Sequence, residues 1–537
     1  MLRWAGLWRA LGLGPGAPFP GPAAGKGAPR VYEGGDGDGG AAAAGPEERV
    51  TAVLGWALSE LCNPPPPARE IAALAADVVA CMSGPRRRFH TVPHALKLAH
   101  GAGPVQAVAA LYHDCVYVQV DQGFPPPARA LKRHLKGLHD QGKHTKRLVA
   151  GADGGLSKVL LDIAKDVFGF HYGDELTPFG GLNEFASAVF MARALERHVN
   201  LKLLTQIIVA IEATRPFRKN MGPRLHARLE SANLSFGLGF DPPELAATVQ
   251  QAVELSNRDL GDFGHLDFAW FISGSWELLP EGTPELGGRG SALPHWRTAT
   301  YKMHKFLSNL EPGRVFNSFQ GLPEADSMAE LLARCTHNLA CADSYLLAKT
   351  LEALFLEAVL VLNEGPAAMA EVRERFVLGF AKTSLSKARG GDPRDTDLTW
   401  EQLSATLVGA CQKLAGKAYW NAEPLNKTVY RTLVHGRALA VDWDVRVSPV
   451  AAVIYGHVGE EGLRRLQRGF EPLLRAAMTR SVNKEEAAAV LEAFPPLISD
   501  SLCNLLLEIL DIKQTGPPSP EKKAELTESQ TWDLYTF

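Results

Sequence analysis

The feature that most constrains this chain is a succession of segments whose apolar residues recur at steps of three and four. Examples are EERVTAVLGWALSEL, QAVAALYHDCVYVQV and NLKLLTQIIVAIEAT. This spacing places the apolar side chains on one face of an α-helix, whereas the alternation and hairpin turns of β-strands are nearly absent. The sequence therefore predicts an all-α protein, with a helical bundle followed by a second helical domain.

Length and loop composition predict the domain organisation. At 537 residues the chain exceeds the roughly 250 to 300 residues at which one hydrophobic core stops growing. Breaks rich in glycine and proline at residues 279–294 and near residue 312 are the best candidates for domain boundaries. We predict helical domains at residues 46–312 and 313–512, and a disordered tail at residues 513–537.

The first 45 residues are predicted to be a disordered or targeting segment. They contain Arg3, Arg9, Lys26 and Arg30, and no acidic residue precedes Glu33. This charge bias is typical of organelle transit peptides, but the segment lacks the serine that such peptides favour. We expect an intracellular protein, which is cytoplasmic or, if the segment is a transit peptide, mitochondrial or plastid.

Charge and cysteine content exclude several classes. The formal net charge of -3 gives no strong signal for a nucleic-acid partner. The seven cysteines include no C-x-x-C pair, which argues against a disulfide framework or a zinc knuckle. The longest apolar stretch contains Glu352 and Glu357 and is too short to span a bilayer, so no membrane span is expected. The oligomeric state stays open.

Two histidine-containing phrases could carry chemistry. His90 and His94 are four residues apart, so in a helix their imidazoles would lie on one face. His113 and Asp114 follow in an apolar segment, where an aspartate is costly to bury unless it is paired or coordinated. Each pair alone is typical of a surface or hydrogen-bonded pair. Together, they offer the imidazole and carboxylate ligands that suit Zn, Fe, Mn or Ni.

At this point the sequence resembles the HD superfamily of metal-dependent phosphohydrolases, especially an uncharacterised predicted subgroup, and more distantly the cyclic-nucleotide phosphodiesterases. The motifs that carry the resemblance are FHTVPH at 89–94, YHDCVY at 112–117, NEFASA at 183–188 and DL at 259–260. The resemblance covers residues 86 to 265 and implies an HD-domain-like helical bundle. It implies nothing for residues 320–537.

The resemblance also implies roles for individual residues. The metal ligands would be His94, His113, Asp114 and Asp259, with Asp262 and Asp267 as competitors of Asp259. His90 would donate a proton to the leaving oxygen, and Glu184 would orient a ligand or water or, equally well, be a solvated helix carboxylate. Candidates for binding phosphate are Arg86, Arg87, Arg88, Arg215 and Arg218. For Arg215 and Arg218 a structural salt bridge is the competing interpretation.

One departure bears on the number of metal ions. The subgroup's T-x-x-H phrase reads Thr214-Arg215-Pro216-Phe217 here, so the histidine that could hold a second metal is replaced by phenylalanine. We therefore expect one divalent ion, which could be Mn, Zn, Fe, Ni or Mg, and a small phosphorylated substrate. Two alternatives remain: an HD-like iron oxygenase, and a non-enzymatic scaffold that binds a metal or ligand.

Overall fold

The computed structural model confirms the all-α class. It describes residues 45–137, 144–150, 155–287, 293–363, 425–439, 441, 444, 446–477, 480–496, 498–500 and 502–503. The predicted tail at 513–537, and the predicted N-terminal segment except Gly45, lie outside these residues. None of the described helices is long and apolar enough to cross a membrane.

The chain divides into two compact units. The first contains the described residues up to His265 together with Leu310–Thr336, and the second contains Leu266–Asn309 and the described residues from His337 onward. The predicted boundary at residue 312 therefore differs from the observed one. Phe316 and Phe319 pack beside Gly264 and Gly222 of the first unit, which explains why the segment after residue 312 belongs to it. Glycine and proline residues mark the ends of helices, whereas the burial of apolar side chains determines which compact unit a segment belongs to.

The first unit is built from helices and short 3-10 turns. Its α-helices are α1 Pro46–Leu61, α2 Ala68–Met82, α3 Val92–Ala99, α4 Pro104–Tyr112, α5 Gly155–Phe168, α6 Leu182–Leu195, α7 Leu201–Ala213, α8 Met221–Phe236, α9 Pro242–Asp259 and α12 Pro312–Val315. The 3-10 turns are Pro126–Arg133, Pro178–Gly180 and Gly261–Gly264. Helix α7 lies at the centre and contacts α4, α5, α6, α8 and α9. Its buried side chains include Ile207, Ile208 and Ile211, so hydrophobic burial explains its central place.

A small antiparallel sheet interrupts the helices. It contains β1 Leu135–Gly137, β2 Lys146–Leu148 and β3 Glu175–Leu176, in the order β1-β2-β3. These strands were not predicted from the sequence, because two or three residues are too few to show an alternating pattern.

The second unit is also helical. Its elements are α10 Phe268–Gly282, the 3-10 turn Pro284–Gly287, α11 Leu293–Ser308, α14 Lys427–His435, α15 Pro449–Leu474 and α16 Lys484–Ala493. The long helix α13, Ala325–Asn363, supplies residues to both units. Helix α15 is interrupted at Gly459, whose φ of 63° is left-handed.

Buried ion pairs mark the core of the second unit. Arg297 pairs with Glu357 at 2.5 Å, and Arg437 pairs with Asp444 at 3.0 Å. The Trp276 indole also donates to Asp444. Such pairs are tolerated in a core because each charge is matched and hydrogen-bonded.

Candidate metal centre

His94 lies in the first turn of α3. The helix begins at Val92, and Pro93 occupies an early position at which its missing N–H leaves no hydrogen bond unmade. His90 precedes the helix, so the pair does not share a helical face as the spacing had predicted. The two imidazoles are nevertheless neighbours, with ring centroids 6.0 Å apart.

His113 and Asp114 lie just after α4, which ends at Tyr112 and not, as predicted, several residues later. Two polar side chains of α6 explain the early end. The Val116 N–H donates to Ser187 Oγ and the Val118 N–H donates to Asn183 Oδ1, so neither continues the helical ladder. Residues of the NEFASA phrase thus hold the loop that follows the His-Asp pair.

Asp259 is the last residue of α9, and its neighbour Asn257 fixes this end of the helix. The Asn257 side chain donates to the Asn317 carbonyl and accepts from the Asn317 N–H. These reciprocal bonds involve residues 60 positions apart in sequence. These bonds fix the position of the end of α9 independently of any ligand.

The three elements bring His94, His113 and Asp259 together. One ligand atom from each lies within 4.8 Å of the other two. Nε2 of His94 is 3.1 Å from Asp259 Oδ1, and Nε2 of His113 is 3.7 Å from the same oxygen. Asp114 Oδ2 lies 2.9 Å from His113 Nε2 and 3.9 Å from His94 Nε2, beside this compact group.

The imidazoles are arranged as metal ligands would be. Nδ1 of His113 is 2.8 Å from the Ala110 carbonyl oxygen, which can only accept, so Nδ1 carries the proton and Nε2 faces the carboxylates. The Nε2 atoms of His94 and His113 are both buried, and neither makes a hydrogen bond of good geometry. Buried polar atoms normally have partners. Two nitrogens and neighbouring carboxylate oxygens therefore fit a divalent transition metal.

The electrostatics point to a positive charge at this place. Although burial opposes the charged imidazole, the carboxylates of Asp114 and Asp259 raise the pKa of His113 to about 10. Burial likewise opposes the Asp114 charge, but His113, His90 and His94 hold its pKa well below the usual range. Without metal, protons supply the positive charge, and a bound dication would replace them.

Arg258 links the helices that carry two of these ligands. Its guanidinium donates through Nη2 to the carbonyls of Leu98 and His100 at the end of α3. The residue immediately precedes Asp259, so the contact couples the end of α9 to the helix of His94. This role could not be predicted from sequence patterns, because the partners are backbone carbonyls about 160 positions away.

Arg87 has a structural role beneath the site. All five of its N–H groups are directed at protein oxygens: both carboxylate oxygens of Asp121 and the carbonyls of His90, Asp114 and Cys115. Its guanidinium is buried and each of its N–H groups has a protein acceptor, so no N–H remains for the phosphate that the sequence had predicted. The flanking residues Arg86 and Arg88 are exposed.

Glu184 projects from the first turn of α6 and is buried. Burial raises its pKa to about 7, and Asp114 contributes to the shift while Arg215 and Arg218 oppose it. Its Oε2 has no hydrogen-bond partner. A carboxyl group with this pKa can exchange a proton near neutral pH, so the solvated-carboxylate interpretation does not fit.

Arg215 and Arg218 form ion pairs with the fully buried Glu212, as Arg228 does. Arg215 also donates to the Gly180 carbonyl and lies over the Phe170 ring. Three guanidinium groups around one carboxylate leave a surplus of positive charge. The ion pairs give this cluster a structural role, because they neutralise the buried Glu212 carboxylate. Since positive charge remains in excess, phosphate binding by Arg215 and Arg218 stays a prediction.

The two aspartates considered as alternatives to Asp259 as a metal ligand have other partners. Asp262 pairs with Lys97 at 3.1 Å, and Asp267 caps the N-terminus of α10 by accepting from the Ala269 N–H. Phe217 adopts a φ of 60°, unusual for an aromatic residue, and packs against Phe263 with ring centroids 5.7 Å apart. Its ring offers no ligand for a second metal.

No protein-family model, curated protein or solved structure matches the chain. Support for a function therefore comes from the residues of the site.

Proposed function

We propose that this chain is a metal-dependent phosphohydrolase that cleaves a phosphomonoester or phosphodiester. The observation that carries the proposal is the convergence of His94, His113 and Asp259, with two buried imidazole nitrogens that face carboxylates and make no hydrogen bond of good geometry. The order of the histidine and aspartate phrases, which resembles the HD superfamily, supports hydrolysis of a phosphate ester as the reaction.

We propose one divalent metal ion at this site, held by His94, His113 and Asp259 and completed by Asp114. The mixed nitrogen and oxygen set is compatible with Mn, Zn, Fe, Ni or Mg. When bound, such an ion lowers the pKa of a coordinated water and so supplies a hydroxide nucleophile at neutral pH. Phe217 supports one ion over two, since a phenyl ring cannot coordinate.

His90 is the proposed proton donor to the leaving oxygen. It lies next to His94 but outside the compact group, and its ring packs against Tyr117 with centroids 4.4 Å apart. This packing holds the imidazole at the edge of the site, where a substrate oxygen can approach. Imidazole is the side chain that most often serves as a general acid near neutral pH.

The remaining roles follow from charge. Glu184 can hold a proton near neutral pH beside the carboxylates, and thereby orient a water or ligand. Arg86 and Arg88 are exposed near His90, and the cluster around Glu212 carries surplus positive charge. These groups would offset the charge of a small phosphorylated substrate.

The test combines metal analysis with two alanine variants. Purified protein is expected to hold about one transition metal per chain and to hydrolyse a member of a phosphomonoester and phosphodiester panel. His94→Ala removes a ligand and should lower metal content and activity together. His90→Ala should keep the metal while activity falls by roughly 100- to 10,000-fold, the usual contribution of general acid catalysis.

A control and a choice of substrate sharpen the result. His171→Ala replaces an exposed histidine outside the site and should change neither quantity. The His90→Ala loss should be smaller on a nitrophenyl ester, because its leaving group needs no proton. Retained metal and full activity in His94→Ala would refute the proposed site, and equal loss of metal in both variants would refute the role of His90.

A further inference from the structure

The second unit contains a pocket that the proposed function does not use. It has a volume of about 350 Å³, within the usual range for small-molecule sites. Its lining comes from α11 and the end of α15: Thr298, Tyr301, Lys302, Lys305, Leu474 and Arg475. The set combines three cations with the apolar surfaces of a tyrosine and a leucine.

The cations of this pocket are incompletely neutralised. Arg475 pairs with Glu471 at 2.7 Å. Neither Lys302 nor Lys305 has a hydrogen-bond or ion-pair partner for its ammonium group within the described part of the chain. Three cations thus face one carboxylate, which leaves a surplus of positive charge.

Tyr301 forms one wall of the pocket. Its side chain is buried at 4% exposure, and its hydroxyl makes no hydrogen bond of good geometry. Burial and the neighbouring Glu471 carboxylate raise the pKa of Tyr301 to about 12, so the phenol stays protonated and can donate. The phenol lies beside Glu471, the carboxylate that pairs with Arg475, so the Lys302 and Lys305 ammonium groups are the ones left for an anion in this pocket.

We propose that this pocket binds a small organic anion with an apolar body and a phosphate-like dianionic head. The head would accept from the ammonium groups of Lys302 and Lys305. The apolar body would pack on Leu474 and the tyrosine ring. The inference does not rest on the proposed activity of the first unit.

Phenylphosphonate is the probe, because it has the required form and contains no phosphate ester to hydrolyse. Calorimetric titration of the full chain at pH 8 should show saturable binding, which a Lys302→Ala/Lys305→Ala variant weakens about tenfold or more, as expected when charge-assisted hydrogen bonds are lost. Inorganic phosphate should bind more weakly, because it lacks the apolar body.

Two controls separate this pocket from the metal centre. Lys427→Ala removes one exposed charge outside the pocket and should leave phenylphosphonate binding unchanged. His94→Ala should abolish any binding through the metal while preserving the lysine-dependent component. Absence of saturable binding, or binding that the double lysine variant retains in full, would overturn the proposal. Circular dichroism of each variant confirms that it is folded.

Discussion

Arg258 offers the sharpest test of how the fold positions the metal ligands. Arg258→Ala removes two charge-assisted hydrogen bonds to the carbonyls of Leu98 and His100. At about 1.5 kcal/mol or more for each bond, the free energy of unfolding should fall by about 3 kcal/mol. For a unit of this size, that corresponds to a melting temperature lower by roughly 6 to 12 °C.

The same variant should weaken metal binding although Arg258 is not a ligand. Residues that hold ligands in place typically contribute tenfold to hundredfold in metal affinity, so we expect a loss of about that size. Arg258→Lys should give an intermediate loss, because one ammonium group cannot reproduce the guanidinium geometry.

The assay is a competition titration with a chromophoric chelator, accompanied by thermal unfolding. Arg224→Ala is the matched control, since Arg224 is exposed on α8 and the charge change is the same. If Arg258→Ala retains the metal affinity and melting temperature of the control, the coupling between α3 and α9 does not position the ligands, and the reasoning is refuted.

Three further variants test the surroundings of the site. Gly181→Ala should lower the free energy of unfolding by about 2 kcal/mol or more, because Gly181 has a φ of 94° and a Cβ would collide with the Arg215 guanidinium. Glu212→Ala should cost about 3 to 5 kcal/mol in chemical denaturation, because it leaves buried guanidinium groups without their carboxylate. Glu184→Gln should remove a pH dependence from the unfolding free energy of metal-free protein. The pKa of Glu184 is raised to about 7, so its stabilising contribution is complete below about 4.5 and lost as pH rises through 7.

Each of these three variants is tested against a control variant or a second condition. Gly237→Ala introduces a Cβ at a φ of 62° where nothing lies within 4 Å, so a loss equal to that of Gly181→Ala would exclude the collision. Glu230→Ala removes an exposed carboxylate from α8 and should cost less than about 0.5 kcal/mol. For Glu184, denaturation at pH 5 and pH 8 should show wild type losing more stability than Glu184→Gln, and parallel behaviour would contradict the raised pKa.

The predictions from sequence succeeded where the pattern was long and local. Apolar periodicity over ten or more residues predicted the all-α class, which the helices confirm. The early end of α4 was not predictable in this way. It depends on bonds from Val116 and Val118 to Ser187 and Asn183, which lie 65 to 71 positions away, and periodicity carries no information about such partners.

The candidate site likewise combines residues that were predicted from the sequence with supporting contacts that were not. The phrases containing His94, His113 and Asp259 were selected from the sequence, and the structure brings these residues together. What fixes their geometry is contributed by Arg258 and Asn257, through bonds to backbone atoms that any residue type would present.

Substitutions around the site should differ in how strongly they disturb the ligand geometry. The bonds of Arg258 and Asn257 end on backbone carbonyl and amide groups, so substitution of side chains at their partner positions leaves the acceptors and donors in place. The ligand geometry should therefore tolerate changes at His100 or Asn317 better than changes at Arg258 or Asn257.

Asn257 makes two bonds with one residue in the loop before α13, while Arg258 makes two with the end of α3. The end of α9 is thus held from two directions, and Asp259 follows both anchors within two residues. A carboxylate placed so close to two fixed side chains has little freedom to move away from the imidazoles. Its position beside His94 and His113 is thus a property of the folded chain before any metal binds.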